Sequence, residues 1–130
     1  MLFLFGFILN NKIFVSIVII NTKVMCQKTV IAQRSDVTIT QCANCKVVNI
    51  WKTGLLMRFT FDQFDEFAQI ATKIDFDEFL EHAPNGKEVV ILSTPCKDIF
   101  LMFTRQELFE FSAALSEAVF MKNVYGLVHF

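Results

Sequence analysis

Four cysteines, Cys26, Cys42, Cys45 and Cys96, are the residues of this chain best suited to chemistry. Cys42 and Cys45 enclose Ala43 and Asn44, a Cys-x-x-Cys spacing. Two thiols so placed can grip a metal, exchange electrons or simply shape a turn. Zinc favours four soft or borderline ligands in a tetrahedron, and a hairpin carrying this spacing presents two of them on one side. Strong zinc signatures have two paired motifs; here there is one pair and two singletons, and His82 and His129 are the only histidines. The expected metal is zinc, with Cys42 and Cys45 as core ligands and Cys26 and Cys96 as candidates to complete the set. The rival chemistry is thiol redox. A thioredoxin-like pair opens a helix whose N-terminus lowers the thiol pKa. A β-branched run follows this pair instead, which counts against catalysis. The third reading is plain turn geometry.

The flanking elements place these thiols. Lys28–Gln33, Val37–Gln41, Lys46–Trp51 and Leu55–Thr60 read as strands joined by tight turns, an antiparallel meander. If the first strand runs up and the second down, the Cys42–Cys45 turn lies at the bottom, where the first strand begins. Cys26 precedes that strand, so three thiols should gather at one end of the sheet. Cys96 sits in the turn of a second hairpin and joins them only if the two halves pack that way.

Helical spacing begins at Phe61, with an apolar stripe through Phe64, Phe67, Ala68, Ala71 and Ile74. Thr60 and Gln63 form a capping box ahead of it. Asp75 and Glu78 open a shorter helix, expected through about His82 and stopped by Pro84, Asn85 and Gly86. Glu88–Ser93 and Ile99–Phe103 read as a second hairpin. Thr104 and Glu107 cap a final helix with Leu108, Phe111, Leu115 and Val119 as its stripe. The tail Met121–Phe130 is apolar and leaves three options open: packing back, an edge strand, or docking on a partner.

Residues 55–67 echo residues 99–111. Phe59 and Phe103, Thr60 and Thr104, Glu66 and Glu110, and Phe67 and Phe111 match outright. The echo reads either as a duplicated ββα unit or as two junctions sharing only local signals. The expected fold is α+β: an antiparallel sheet, a β-meander plus a second hairpin, covered by helices on one face.

Other chemistry finds little support. Asp62, Asp65, Glu66, Asp77, Glu78 and Glu81 oppose Phe stripes and read as a solvated face. His82 reads as an exposed helix-end residue. Lys46, Lys52 and Arg58 beside Trp51 loosely resemble a nucleic-acid platform. The net charge of -1 gives no general attraction to nucleic acid or anionic lipid. No glycine-rich phosphate loop, His-Glu-x-x-His or Gly-x-Ser-x-Gly occurs, so an enzyme is not the expected class.

Residues 1–24 stand apart. They hold Lys12 and Lys23 but no acid, and Asn10, Asn11 and Lys12 split their apolar runs, where a membrane span wants about 20 apolar residues. The stretch lacks a basic start and a small-residue cleavage site. Its residue types are those of A/T-rich codons. We expect translation to start at Met25, leaving 25–130 as one domain; an uncleaved membrane anchor is the alternative. With Lys12 and Lys23 set aside from the 12 basic residues, 10 face 13 acidic ones.

Met25, Cys26, Gln27 and Lys28, then Gln41 through Lys46, then Phe59 and Thr60 opening a helix, resemble a small bacterial family of unknown function. Its members often begin Met-Cys and carry a central Cys-x-x-Cys between strands. The resemblance implies no activity, and adds weight to a start at Met25. The expected function is therefore non-catalytic: a small cytoplasmic interaction or regulatory domain, zinc-stapled in its sharpest form. A homodimer or protein partner would use surface left over from the 16 Phe residues. The alternative is a thiol-dependent redox protein using Cys42 and Cys45.

Overall fold

A computed structural model describes residues 26–128. The apolar stretch 1–24, with its start-site and anchor readings, and His129 lie outside the described residues.

Alternating apolar residues and short turns make the four-stranded meander: β1 Thr29–Arg34, β2 Val37–Cys42, β3 Val47–Lys52 and β4 Leu55–Thr60. All pairs are antiparallel, in the order β1-β2-β3-β4. Ser35 takes φ 54 in the β1–β2 turn, and Gly54 takes φ 74 between β3 and β4. The register shifts between Val30 and Ala32, where a bulge buries both Ile31 and Ala32.

Thr60 caps α1, Phe61–Ala71, with the full capping box: its hydroxyl accepts from the Gln63 N–H, and the Gln63 side chain accepts from the Thr60 N–H. α2 is shorter than the spacing of Asp75 and Glu78 suggests. It covers Phe76–Phe79 only. Glu81–His82, expected to finish that helix, instead form the strand β5 against β6. The helix stops because Leu80 is extended (φ -66, ψ 146), and the chain then pairs with its neighbour.

β6 Glu88–Ser93 and β7 Phe100–Phe103 form the second hairpin, and β5-β6-β7 is a separate three-stranded sheet rather than a continuation of the first. α3 then runs unbroken from Arg105 to Val128. The tail thus extends the last helix, with Gly126 inside it. Thr104 and Glu107 make a second reciprocal box at its start. The fold is α+β.

α3 descends along β1. Arg34 at the top of β1 pairs with Glu110 and Glu117, whereas Tyr125 shares a cavity with Gln27 and Thr29 at the bottom. The core lies between the meander and the helices. Phe59, Phe64, Phe103 and Phe111 are almost wholly buried. Phe59 packs on Phe67 at 4.9 Å and Phe103 stacks on Phe111 at 4.6 Å; Phe67 meets Phe111 edge-on at 6.2 Å. The matched residues of the two halves therefore make matched pairs, and one contact joins them. Arg105 adds a link from the start of α3 to Asp77 of α2, lying over the Phe76 ring at 4.5 Å.

Phe111 touches both pairs, so Phe111→Ala should cost about 3–5 kcal/mol of stability, as for other buried Phe truncations. Urea denaturation of the variant and parent would measure it; a loss under about 1 kcal/mol would contradict this packing.

Candidate metal centre

The meander delivers Cys26, Cys42 and Cys45 to one place. Cys42 ends β2, Cys45 lies in the turn that follows, and Cys26 comes three residues before β1. Antiparallel pairing of Thr29 with Gln41 sets the start of β1 beside the end of β2. The three sulfurs lie within 4.8 Å of one another, and those of Cys26 and Cys45 approach to 3.1 Å. Cys42 is buried; Cys26 and Cys45 are exposed. Among the described residues, no fourth Cys, His, Asp or Glu joins them.

The turn is shaped to converge these groups. The Lys46 N–H donates to the Cys42 carbonyl at 2.8 Å, and Lys46 takes φ 56. A side chain there sits in the left-handed region that Gly or Asn adopts more readily. That conformation closes a four-residue loop and delays β3 to Val47.

The electrostatics within the cluster are uneven. The Cys45 backbone N–H is the main support of the Cys42 sulfur. With the Cys45 thiol and the N–H groups of Gln27 and Asn44, it outweighs burial and holds the Cys42 pKa below the usual thiol range. The Cys45 thiol is engaged by the sulfurs of Cys26 and then Cys42, which pushes its pKa up to about 11. Losing its proton would set a second negative charge against Cys42. Cys42 therefore ionises ahead of Cys45.

Cys96 is elsewhere. It lies in the exposed β6–β7 turn and lines a surface cavity with Leu55, Leu56, Met57 and Arg58. Leu55 is at the end of the sheet away from Cys42, since Cys42 pairs with Val47 and Val47 with Thr60. The structure therefore brings together three of the four expected ligands and separates the fourth.

The other singled-out residues sit as follows. His82 is exposed on β5, 4.0 Å from Glu88. Asp62, Asp65, Glu66, Asp77, Glu78 and Glu81 are exposed, with Asp65 paired to the buried Lys122 and Asp77 to Arg105. Trp51 donates to Thr40 and lies under Lys28, Lys52 pairs with Asp36, and Arg58 donates to Asn49. Trp51, Lys52 and Arg58 of the loose platform are thus engaged by neighbours in the meander and its turns.

A family model described as a family of unknown function (DUF6686) matches residues 25–125. The chain belongs to that family. No curated protein and no solved structure matches it. The matched span includes all three clustered cysteines and the whole meander. Among the described residues, no helix is long and apolar enough to cross a membrane.

Sequence reasoning missed the backbone donors from Gln27, Asn44 and Cys45, and the left-handed Lys46. Only an unusually long two-cysteine turn hinted at them. Thiolate absorbance at 240 nm, followed on metal-free reduced protein, should show one sulfur ionising below the usual thiol range and one near 11. Cys45→Ser should abolish the late step. A single step for all cysteines near the free-thiol value would contradict this arrangement.

Proposed function

We propose that this domain is a small non-catalytic binding or regulatory module whose Cys26, Cys42 and Cys45 hold a structural zinc ion. The observation that carries the reading is the convergence of three sulfurs from two separate stretches of chain. Thiolates are soft donors, and zinc is their usual borderline partner among divalent ions. Zn–S bonds near 2.3 Å imply sulfurs about 3.8 Å apart in a tetrahedron. The 3.1 Å approach of Cys26 to Cys45 and the 4.8 Å limit within which all three sulfurs lie are close to that spacing, so small side-chain shifts suffice. Zinc there would staple the chain ahead of β1 to the β2–β3 turn. The fourth position would fall to solvent or to a group outside residues 26–128. The module would work in a reducing compartment, the cytoplasm, where thiols stay free. Its partner, a second copy or another protein, would meet exposed Phe79, Phe100, Ile91 and Met102.

Metal analysis of protein purified anaerobically should find about one zinc per chain. Cys26→Ser or Cys45→Ser should weaken zinc binding by more than about 100-fold, beyond what an outer-shell partner contributes; Cys96→Ser should leave it unchanged. Because binding must expel the proton held on Cys45, affinity should climb as pH rises from 6 to 8. Protein that neither carries zinc nor takes it up in titration would end this reading.

A second reading is favoured by one distance. Cys26 and Cys45, both exposed, approach to 3.1 Å. A hydroperoxide could oxidise this pair: the two thiols give two electrons and two protons, a disulfide forms, and the O–O bond breaks to an alcohol and water. The pair differs from the Cys42 and Cys45 that the spacing suggests. Mass mapping after mild peroxide treatment should find a Cys26–Cys45 bridge with Cys42 still free. A Cys42–Cys45 bridge, or none, would rule it out.

A further inference from the structure

The second sheet turns an apolar face to solvent. Antiparallel partners share a face, so the pairing of Ile91 with Met102 and of Ser93 with Phe100 sets Ile91, Met102 and Phe100 on one side. Leu92, Leu101 and Phe103 take the other side and join the core. β5 pairs with β6 only at Glu88 and Val89, so among the described residues that edge of β6 has no strand beyond Val89. A groove of about 320 Å³ runs there, lined by residues 90–93 together with Ile70, Ile74 and Phe79. Four consecutive strand residues cannot all line a cavity on one face, so the groove follows the strand's edge. Ile70, Phe79, Ile91, Phe100 and Met102 are each 44–59% exposed.

We propose that two copies of this chain pair through this face, each inserting Phe100 into the groove of the other. This names the partner of the binding module proposed above and rests on that reading for its biological sense alone. The groove lies on one side of β6 and Phe100, on β7, lies on the other. A two-fold axis along the strands, passing over β6, carries the β7 side of one copy onto the β5 side of its partner. Each Phe100 then meets a groove, and the Ile91 and Met102 pairs of the two copies meet near the axis. The area is sufficient. With aromatic burial of about 150–250 Å² per side chain as the scale, five half-open side chains offer roughly 500 Å² per copy. Two copies then bury about 1,000 Å², the least that a specific interface needs. Charge decides against other occupants. No charged residue lines the groove, so a charged peptide would give up hydration without gaining a counter-ion. Glu78 and Glu81 flank Phe79 and are exposed, which disfavours an anionic lipid surface. A second copy brings a surface that is equally apolar and uncharged.

Sedimentation equilibrium of the full chain from about 1 to 100 μM covers the affinity expected of so small an interface, with zinc content read in each sample. The mass should shift reversibly toward twice that of the 15.0 kDa chain. Phe100→Asp and Phe79→Lys should each weaken the dimer by about tenfold or more and leave the circular dichroism of the fold unchanged. Phe120→Asp, at a comparably exposed position on α3, should leave the dimer intact. Mixing the Phe100→Asp and Phe79→Lys chains should restore it, because one Phe100 and one groove stay native and the other contact sets a carboxylate against an ammonium. A chain that dimerises without zinc ends the metal reading and supports this one. A zinc-loaded chain that stays monomeric throughout overturns this one alone. A dimer indifferent to Phe100→Asp, or variants that fail to rescue each other, would also overturn it. So would a monomeric chain that binds phosphatidylcholine vesicles through Phe100, which would assign the face to lipid.

Discussion

Four phenylalanine rings hold this structure together. Phe59 and Phe67 belong to the first hairpin–helix unit, Phe103 and Phe111 to the second. Each pair packs ring on ring within its unit, and the edge of one ring of each meets across the middle. Aromatic pairs contribute about 0.5–1.5 kcal/mol beyond the area they bury, and these rings bury much area too. The two sheets share no strand pairing. What orients one unit on the other is therefore this ring cluster, together with α3, which leaves the second sheet and lies along β1.

That arrangement leaves the two ends of the meander unlike each other. The top carries the Arg34 ion pairs and the turns at Ser35 and Gly54. At the bottom, strand pairing brings the start of β1 to the end of β2, and the last turns of α3 arrive there as well. Thiols and the buried Gln41 amide lie together at this end, on opposite faces, because β2 places Gln41 and Cys42 consecutively. One strand end thus serves two environments: a sulfur cluster with two exposed members and a cavity that Tyr125 of α3 helps to line.

The gathering of Cys26 with Cys42 and Cys45 is legible in the sequence because it needs only strand direction. Short turns force antiparallel neighbours, and antiparallel neighbours return the chain to the same end. Cys96 is of another kind. Its place depends on how the second unit docks on the first, and that is decided by ring packing rather than by local pattern. The same holds for β5: the Asp75 cap signals a helix, but pairing with β6 overrides it after one turn. The last helix is longer than its strongest signals because its inward row continues through Ala118, Lys122 and Tyr125, and Lys122 is a basic residue buried over Phe61 and paired with Asp65. A lysine on the inward face hides the stripe from any apolar count. Gln41 is hidden in the same way, a polar letter at a core position.

The charge on the thiol cluster bears on the metal reading. Backbone N–H groups can support one thiolate at Cys42, and they do so by geometry already built into the turn. They cannot support three. The Cys45 thiol is hydrogen-bonded first by the Cys26 sulfur and then by that of Cys42, with desolvation and like-charge repulsion adding to these, and its pKa is pushed up to about 11. Cys45 thus keeps its proton at neutral pH, beside the sulfurs that a cation would share. A divalent ion replaces two or three protons at one point and turns mutual repulsion into attraction. On this argument the raised thiol pKa and the capacity for a metal are one property. A cation among these sulfurs would reverse the like-charge part of that resistance and favour their ionisation.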